Sequence, residues 1–260
     1  MNNIFLLFPL YLFSFSNIKS YPEKTPATNT GTVKITFVNT VAGKPLELNT
    51  GSYTNPFSET YTVTKLKYYI SNVFVLKGKV FSFSCSYPFG MPECYHLIDE
   101  SNPESLHFSF ALSPGEYNSL NFLLGVDSLH NVSGAQTGAL DPLNDMFWTW
   151  NNGYVMAKLE GKSSQSKLIN NKLEFHIGGF MGENNVLKNI SLNLPPGKTL
   201  NIQEGKTSEI IIEADIDTWW QQPNDIKITD HAVCSTPGAL AKKISDNYSK
   251  MFIIKEVLNQ

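Results

Sequence analysis

The chain has five histidines, and imidazole both carries protons and binds transition metals. His176 lies in Lys172–Gly179, KLEFHIGG. Alternation there puts Leu173, Phe175 and Ile177 on one face and Glu174 and His176 on the other. His96 lies in a second strand-like run, Tyr95-His96-Leu97-Ile98-Asp99. The ordinary role of a strand histidine is structural hydrogen bonding, so residue type alone does not make either a ligand. His107 alternates with Leu106 and Phe108 and reads as a solvent-face residue. His130 sits in a loop and His231 near the C-terminus, without a local ligand pattern. No HxxxH, HExxH or paired CxxC motif is present, so a metal site would have to be assembled from distant strands.

Asp127, Asp141 and Asp145 fall in the run Gly125–Gly161, GVDSLHNVSGAQTGALDPLNDMFWTWNNGYVMAKLEG. A long loop in a dense β pattern is usually functional or disordered, and its tryptophans argue for order. The aspartates offer oxygen donors that suit Ca²⁺, yet EF-hand spacing is absent. Asx turns and caps use the same residues. Trp148 and Trp150 share one strand face and suit a core, sugar stacking, or a place beside a redox metal where tryptophan is oxidised. There is no GxSxG, and Asp127-Ser128 with His130 is too compact for a nucleophile elbow. No nucleophile–base pair stands out, and the chain is expected not to be an enzyme.

Cysteine supplies two open readings. Cys85 and Cys94 can close a disulfide loop around Pro88, Gly90 and Pro92, leaving Cys234 as a small buried hydrophobe. Alternatively Cys94 stays a thiolate and helps hold a soft metal through Cys94-Tyr95-His96.

The elements that must position these residues are strands. Val33, Ile35 and Phe37 alternate with Lys34, Thr36 and Val38, and Tyr61–Leu76 is rich in Val, Ile, Tyr and Phe. Further short runs, with turns at Ser113-Pro114-Gly115 and Pro195-Pro196-Gly197, complete an all-β pattern. The expectation is an antiparallel β-sandwich with a long Trp-containing loop. A short C-terminal helix is expected from about Gly238 to Val257, with Ala239, Ala241, Ile244 and Tyr248 on its apolar stripe. Residues 31–257 read as one domain. Residues 1–20 read as a cleaved secretory signal peptide, because the apolar run Ile4–Phe15 is too short to span a bilayer. Residues 21–30 read as a linker, and no stable membrane span is expected after cleavage. The net charge of −3 and the absence of arginine argue against nucleic acid as a partner.

Several blocks in order carry a resemblance: Tyr68–Asn72 (YYISN), His96–Asp99 (HLID), Gly125–Ser128 (GVDS), Asn131–Pro142, Met146–Asn151 (MFWTWN) and Phe175–Gly179 (FHIGG). Together they resemble the MbnP-like copper-binding family, over essentially residues 31–257. The resemblance implies an exported bacterial β-sandwich, periplasmic or at the cell surface, that acquires or stores copper through histidines. It implies His176 as the first candidate ligand and His96 as the second. It also implies a tryptophan oxidised to kynurenine, with Trp150 and Trp148 as candidates, by a partner diheme enzyme of the cytochrome c peroxidase type. Cys94 stands where the copper-binding branch carries its reactive tryptophan, which leaves room for Cys94 or Met156 as a soft Cu(I) ligand. A metal-free sandwich binding a glycan or protein through the Trp148/Trp150 loop is the alternative.

Overall fold

The structure, a computed structural model, describes residues 29–84, 94–149 and 153–260. The main strands are β1 (Gly31–Val41), β2 (Thr60–Lys77), β3 (Tyr95–Asp99), β4 (His107–Leu112), β5 (Ser119–Leu124), β6 (Gly153–Lys162), β7 (Lys172–Gly178), β8 (Lys188–Asn193), β9 (Thr207–Asp215) and β10 (Phe252–Leu258). Two helices accompany them, α1 (Ser128–Val132) and α2 (Ala239–Tyr248). The expected signal peptide at 1–20, almost all of the expected linker, Cys85 and Trp150 lie outside the described residues.

Two sheets form an all-β sandwich. In the smaller one β10, β9 and β1 lie side by side, with β4 on the free edge of β1. Val33, Ile35 and Phe37 of β1 are buried, as their alternation predicts. The larger sheet is organised on β2 and runs β8–β5–β2–β6–β7, with β3 on the opposite edge of β2. Phe37 of β1 meets Tyr68 of β2 and Phe122 of β5 edge-on, which knits the two inner faces together.

Most ladders are antiparallel as expected, and parallel pairing enters at the centre of the smaller sheet. There β1 pairs with β9 in parallel, Ile35 opposite Ile210 and Phe37 opposite Ile212. All of the larger sheet except the short strand Val233–Cys234 lies between them in sequence, long enough for a parallel crossover.

β2 serves two neighbours along one edge. Its first half pairs with β6 and its second with β5, and the register shifts between Ser71 and Phe74. Asn72 sits at that shift with φ 52°, a left-handed conformation that asparagine tolerates better than most residues. The bulge redirects the strand and leaves its other edge to β3.

The C-terminal region departs from expectation. The helix ends at Tyr248 and the chain becomes β10. Phe252 and Ile254 face inward while Ile253 is half-exposed, a period of two that a helix cannot satisfy. α2 does bury Ala241, Ile244 and Tyr248, and Tyr248 packs on Trp219 with ring centroids 4.8 Å apart.

Candidate functional site

Register assigns each candidate to a face of the larger sheet. Lys67 of β2 lies opposite Asp99 of β3 on one side and Lys158 of β6 on the other, and Lys158 lies opposite His176 of β7. A parallel row runs Lys65, Glu160, Glu174. Both rows belong to the outer face, because Leu66, Tyr68 and Ile70 between them are in the core. Here His176 Nε2 lies 2.8 Å from Glu160 Oε1, and Glu160, Glu174 and His176 form a compact donor group. Lysines already neutralise it: Lys65 and Lys158 approach Glu160 at 3.5 and 4.0 Å, and Lys172 approaches Glu174 at 2.6 Å. Hydrogen bonding from His176, then the nearby lysines, holds the Glu160 carboxyl below its usual range against the opposing effect of burial. An added cation would meet this positive charge, so the geometry suits a structural ion network.

His96 lies elsewhere. It pairs with Ile70 and shares the inner face at the edge of the sandwich. Its ring lies flat on Phe108 of β4, centroids 3.6 Å apart and planes 2° from parallel. Burial depresses its pKa to about 4, so the imidazole is neutral at physiological pH. Its Nε2 is buried and has no hydrogen-bond partner among the described residues. A polar atom left unpaired in this way costs about 1–3 kcal/mol, which coordination would offset. The two histidines expected to share a metal therefore do not meet. They occupy opposite faces, and β3 and β7 are three strand spacings apart, about 14 Å.

His96 also borders a cleft of about 320 Å³ with Tyr95, Asp99, Asn102, His107 and Asn144. The aspartate loop supplies one wall, and each aspartate has its own task. Asp127 caps α1 by accepting from His130 N. Asp141 accepts from Leu143 N at 2.9 Å. Asp145, with φ 61°, reaches back to Lys65 and Lys158, each at 2.9 Å. They do not converge on a Ca²⁺ site among the described residues; capping explains Asp127 and Asp141, and Asp145 is an ion-pair partner instead.

The MbnP family profile matches residues 30–236, more than three quarters of the chain. The protein belongs to the MbnP family. Among solved structures it resembles MbnP from Methylosinus trichosporium, with TM-score 0.51 and 14% identity over 81% of this chain and 83% of that one. At that identity the likeness speaks for the fold. No curated protein matches the chain.

Within this MbnP domain the remaining candidates are placed as follows. Trp148 is buried, and Gly178 leaves room for its ring: a Cβ on Gly178 would stand 2.5 Å from the Trp148 ring. It packs by β7, across β2 from His96, and offers no open face for stacking a glycan. Met156 Sδ accepts Val126 N–H at 3.2 Å inside the core. Cys94 is buried and disulfide-bonded, which removes it as a thiolate ligand, and Cys234 is the free, buried cysteine. Cys85, the expected partner of Cys94, is outside the described residues.

One cluster was not anticipated from the sequence. Tyr95, on the outer face of β3, donates its hydroxyl to Asp127 Oδ2, and the Tyr95 phenol oxygen lies 2.7 Å from His130 Nδ1. The Asp127-x-x-His130 spacing signals a capped turn, but nothing local links it to Tyr95, 32 residues earlier.

Proposed function

We propose that this protein is an exported copper-binding protein that takes part in copper acquisition or storage and holds the metal through His96. The observation that carries the reading is the buried Nε2 of a neutral imidazole, unpartnered among the described residues. Such a nitrogen can bind metal without first losing a proton. Its apolar neighbour Phe108 and the burial around it favour low-coordinate Cu(I), which accepts few ligands. When bound, copper would supply one-electron redox chemistry; the chain's own part is to hold a nitrogen donor rigidly in a dry setting. His107 borders the same cleft and is the second imidazole to test. His176, engaged by Glu160, stands apart from this site.

The reading assigns the chain no catalysis of its own. It includes export and a diheme cytochrome c peroxidase-type partner, as the family resemblance suggests, with Trp150 as the tryptophan left for oxidation. The test is copper content of protein recovered from its native compartment with copper supplied. Wild type is expected to retain copper, His96→Ala to lose it and His176→Ala to keep it. Copper retention unchanged in His96→Ala would overturn the site. Intact mass on the same samples reads tryptophan oxidation and the Cys85–Cys94 disulfide.

A further inference from the structure

We propose that Tyr95 is a one-electron oxidation site whose proton is taken by Asp127. Removing an electron from a phenol makes its hydroxyl strongly acidic, so a base already hydrogen-bonded to it lowers the cost of oxidation. Tyr95 has such a base. Its hydroxyl bonds to Asp127 Oδ2, and His130 Nδ1 stands 2.7 Å from the phenol oxygen and 3.0 and 3.2 Å from the two carboxylate oxygens. A bare nitrogen lone pair there would face carboxylate lone pairs, so Nδ1 carries the proton and donates.

Among the described residues this arrangement is unlike that of Tyr68, Tyr69, Tyr117 and Tyr154, whose hydroxyls donate to neutral amide or carbonyl oxygens. Asp127 accepts from the Tyr95 hydroxyl and the His130 backbone N–H, and its Oδ1 faces His130 Nδ1 at 3.0 Å, an acceptor-only arrangement that suits the carboxylate. The resting pair is therefore a neutral phenol beside an ionised base. Tyr95 is 3% exposed, which shields a radical from water, and it borders the cleft from which an electron can leave.

The Tyr95 Oη–H bond breaks and the proton forms an O–H bond on Asp127 Oδ2. One electron passes from the phenol to an outer-sphere one-electron acceptor, which is reduced. His130 Nδ1–H remains in place to donate to the phenoxyl oxygen. The step needs no copper, so its failure leaves the copper reading intact.

The test uses the full chain without metal and flash-generated tris(bipyridine)ruthenium(III) as acceptor, read by electron paramagnetic resonance. Wild type is expected to give a neutral tyrosyl radical, and Tyr95→Phe to lose that signal. Asp127→Asn keeps a competent helix cap but removes the base. It should slow radical formation roughly tenfold or more, the scale of losing a hydrogen bond to a charged group, and abolish its deuterium solvent isotope effect. Absence of a tyrosyl radical in wild type overturns the proposal whatever the variants do. A signal unchanged in Tyr95→Phe, or a rate unchanged in Asp127→Asn, overturns it as well.

Discussion

His96 and Phe108 lie ring on ring across the two sheets, 3.6 Å between centroids and 2° from parallel. The contact covers one face of the imidazole, and burial keeps the ring neutral with Nε2 unsatisfied among the described residues. A structural residue would be better as phenylalanine at this position. His96→Phe should therefore stabilise the fold by about 1 kcal/mol, the scale of an unpaired buried polar atom, while abolishing copper retention. Denaturant melts and metal analysis of one preparation check both halves. Loss of stability with copper retained would contradict the assignment.

The same histidine predicts a pH dependence. The unfolded chain protonates His96 below about 6.5, the folded protein only near 4. Between these values the unfolded state holds more protons, so stability falls as pH falls, by up to about 1.4 kcal/mol per pH unit from this group. Comparing wild type with His96→Phe by chemical denaturation from pH 4 to 7 isolates the effect, and the variant should show a shallower slope.

Asp145 fastens the aspartate loop to Lys65 and to the almost fully buried Lys158. Hydrogen bonds from Lys65 and Lys158 outweigh burial and hold its pKa at about 2. Its contribution is thus present above the ordinary carboxylate range and fades as pH drops from about 4 towards 2. Asp145 is itself exposed, so Asp145→Asn should cost only about 1 kcal/mol after solvent screening. Faster amide exchange through Gly138–Asp145 is the expected signature, and exchange identical to wild type would refute the clasp.

Gly178 makes room for Trp148. Gly178→Ala would bring a Cβ within 2.5 Å of the indole and 2.9 Å of the Tyr154 carbonyl oxygen. Overpacking of this kind typically costs about 1–3 kcal/mol. The expected result is a lower melting temperature with a changed tryptophan emission spectrum.

His176→Ala separates an ion network from a ligand site. Losing the Glu160 hydrogen bond should lower stability by about 1 kcal/mol without changing copper content. A loss of copper equal to that of His96→Ala would restore His176 as a ligand.

Local pattern determined a good deal about this protein. Alternation at Val33, Ile35 and Phe37, and at Leu173, Phe175 and Ile177, is a local property of strands, so the buried faces were legible. Ordered blocks such as FHIGG and MFWTWN carried the family, and Asp127 and Asp141 were legible as caps because a cap acts within three residues. Only the tertiary structure decided what lies across a sheet. His96 and His176 look equivalent as strand histidines, yet register sets them on opposite faces, one stacked on Phe108 and the other bonded to Glu160. The parallel pairing of β1 with β9 and the Tyr95–Asp127–His130 cluster were hidden for the same reason. Each depends on strand order and register between distant segments, which spacing along one strand does not encode.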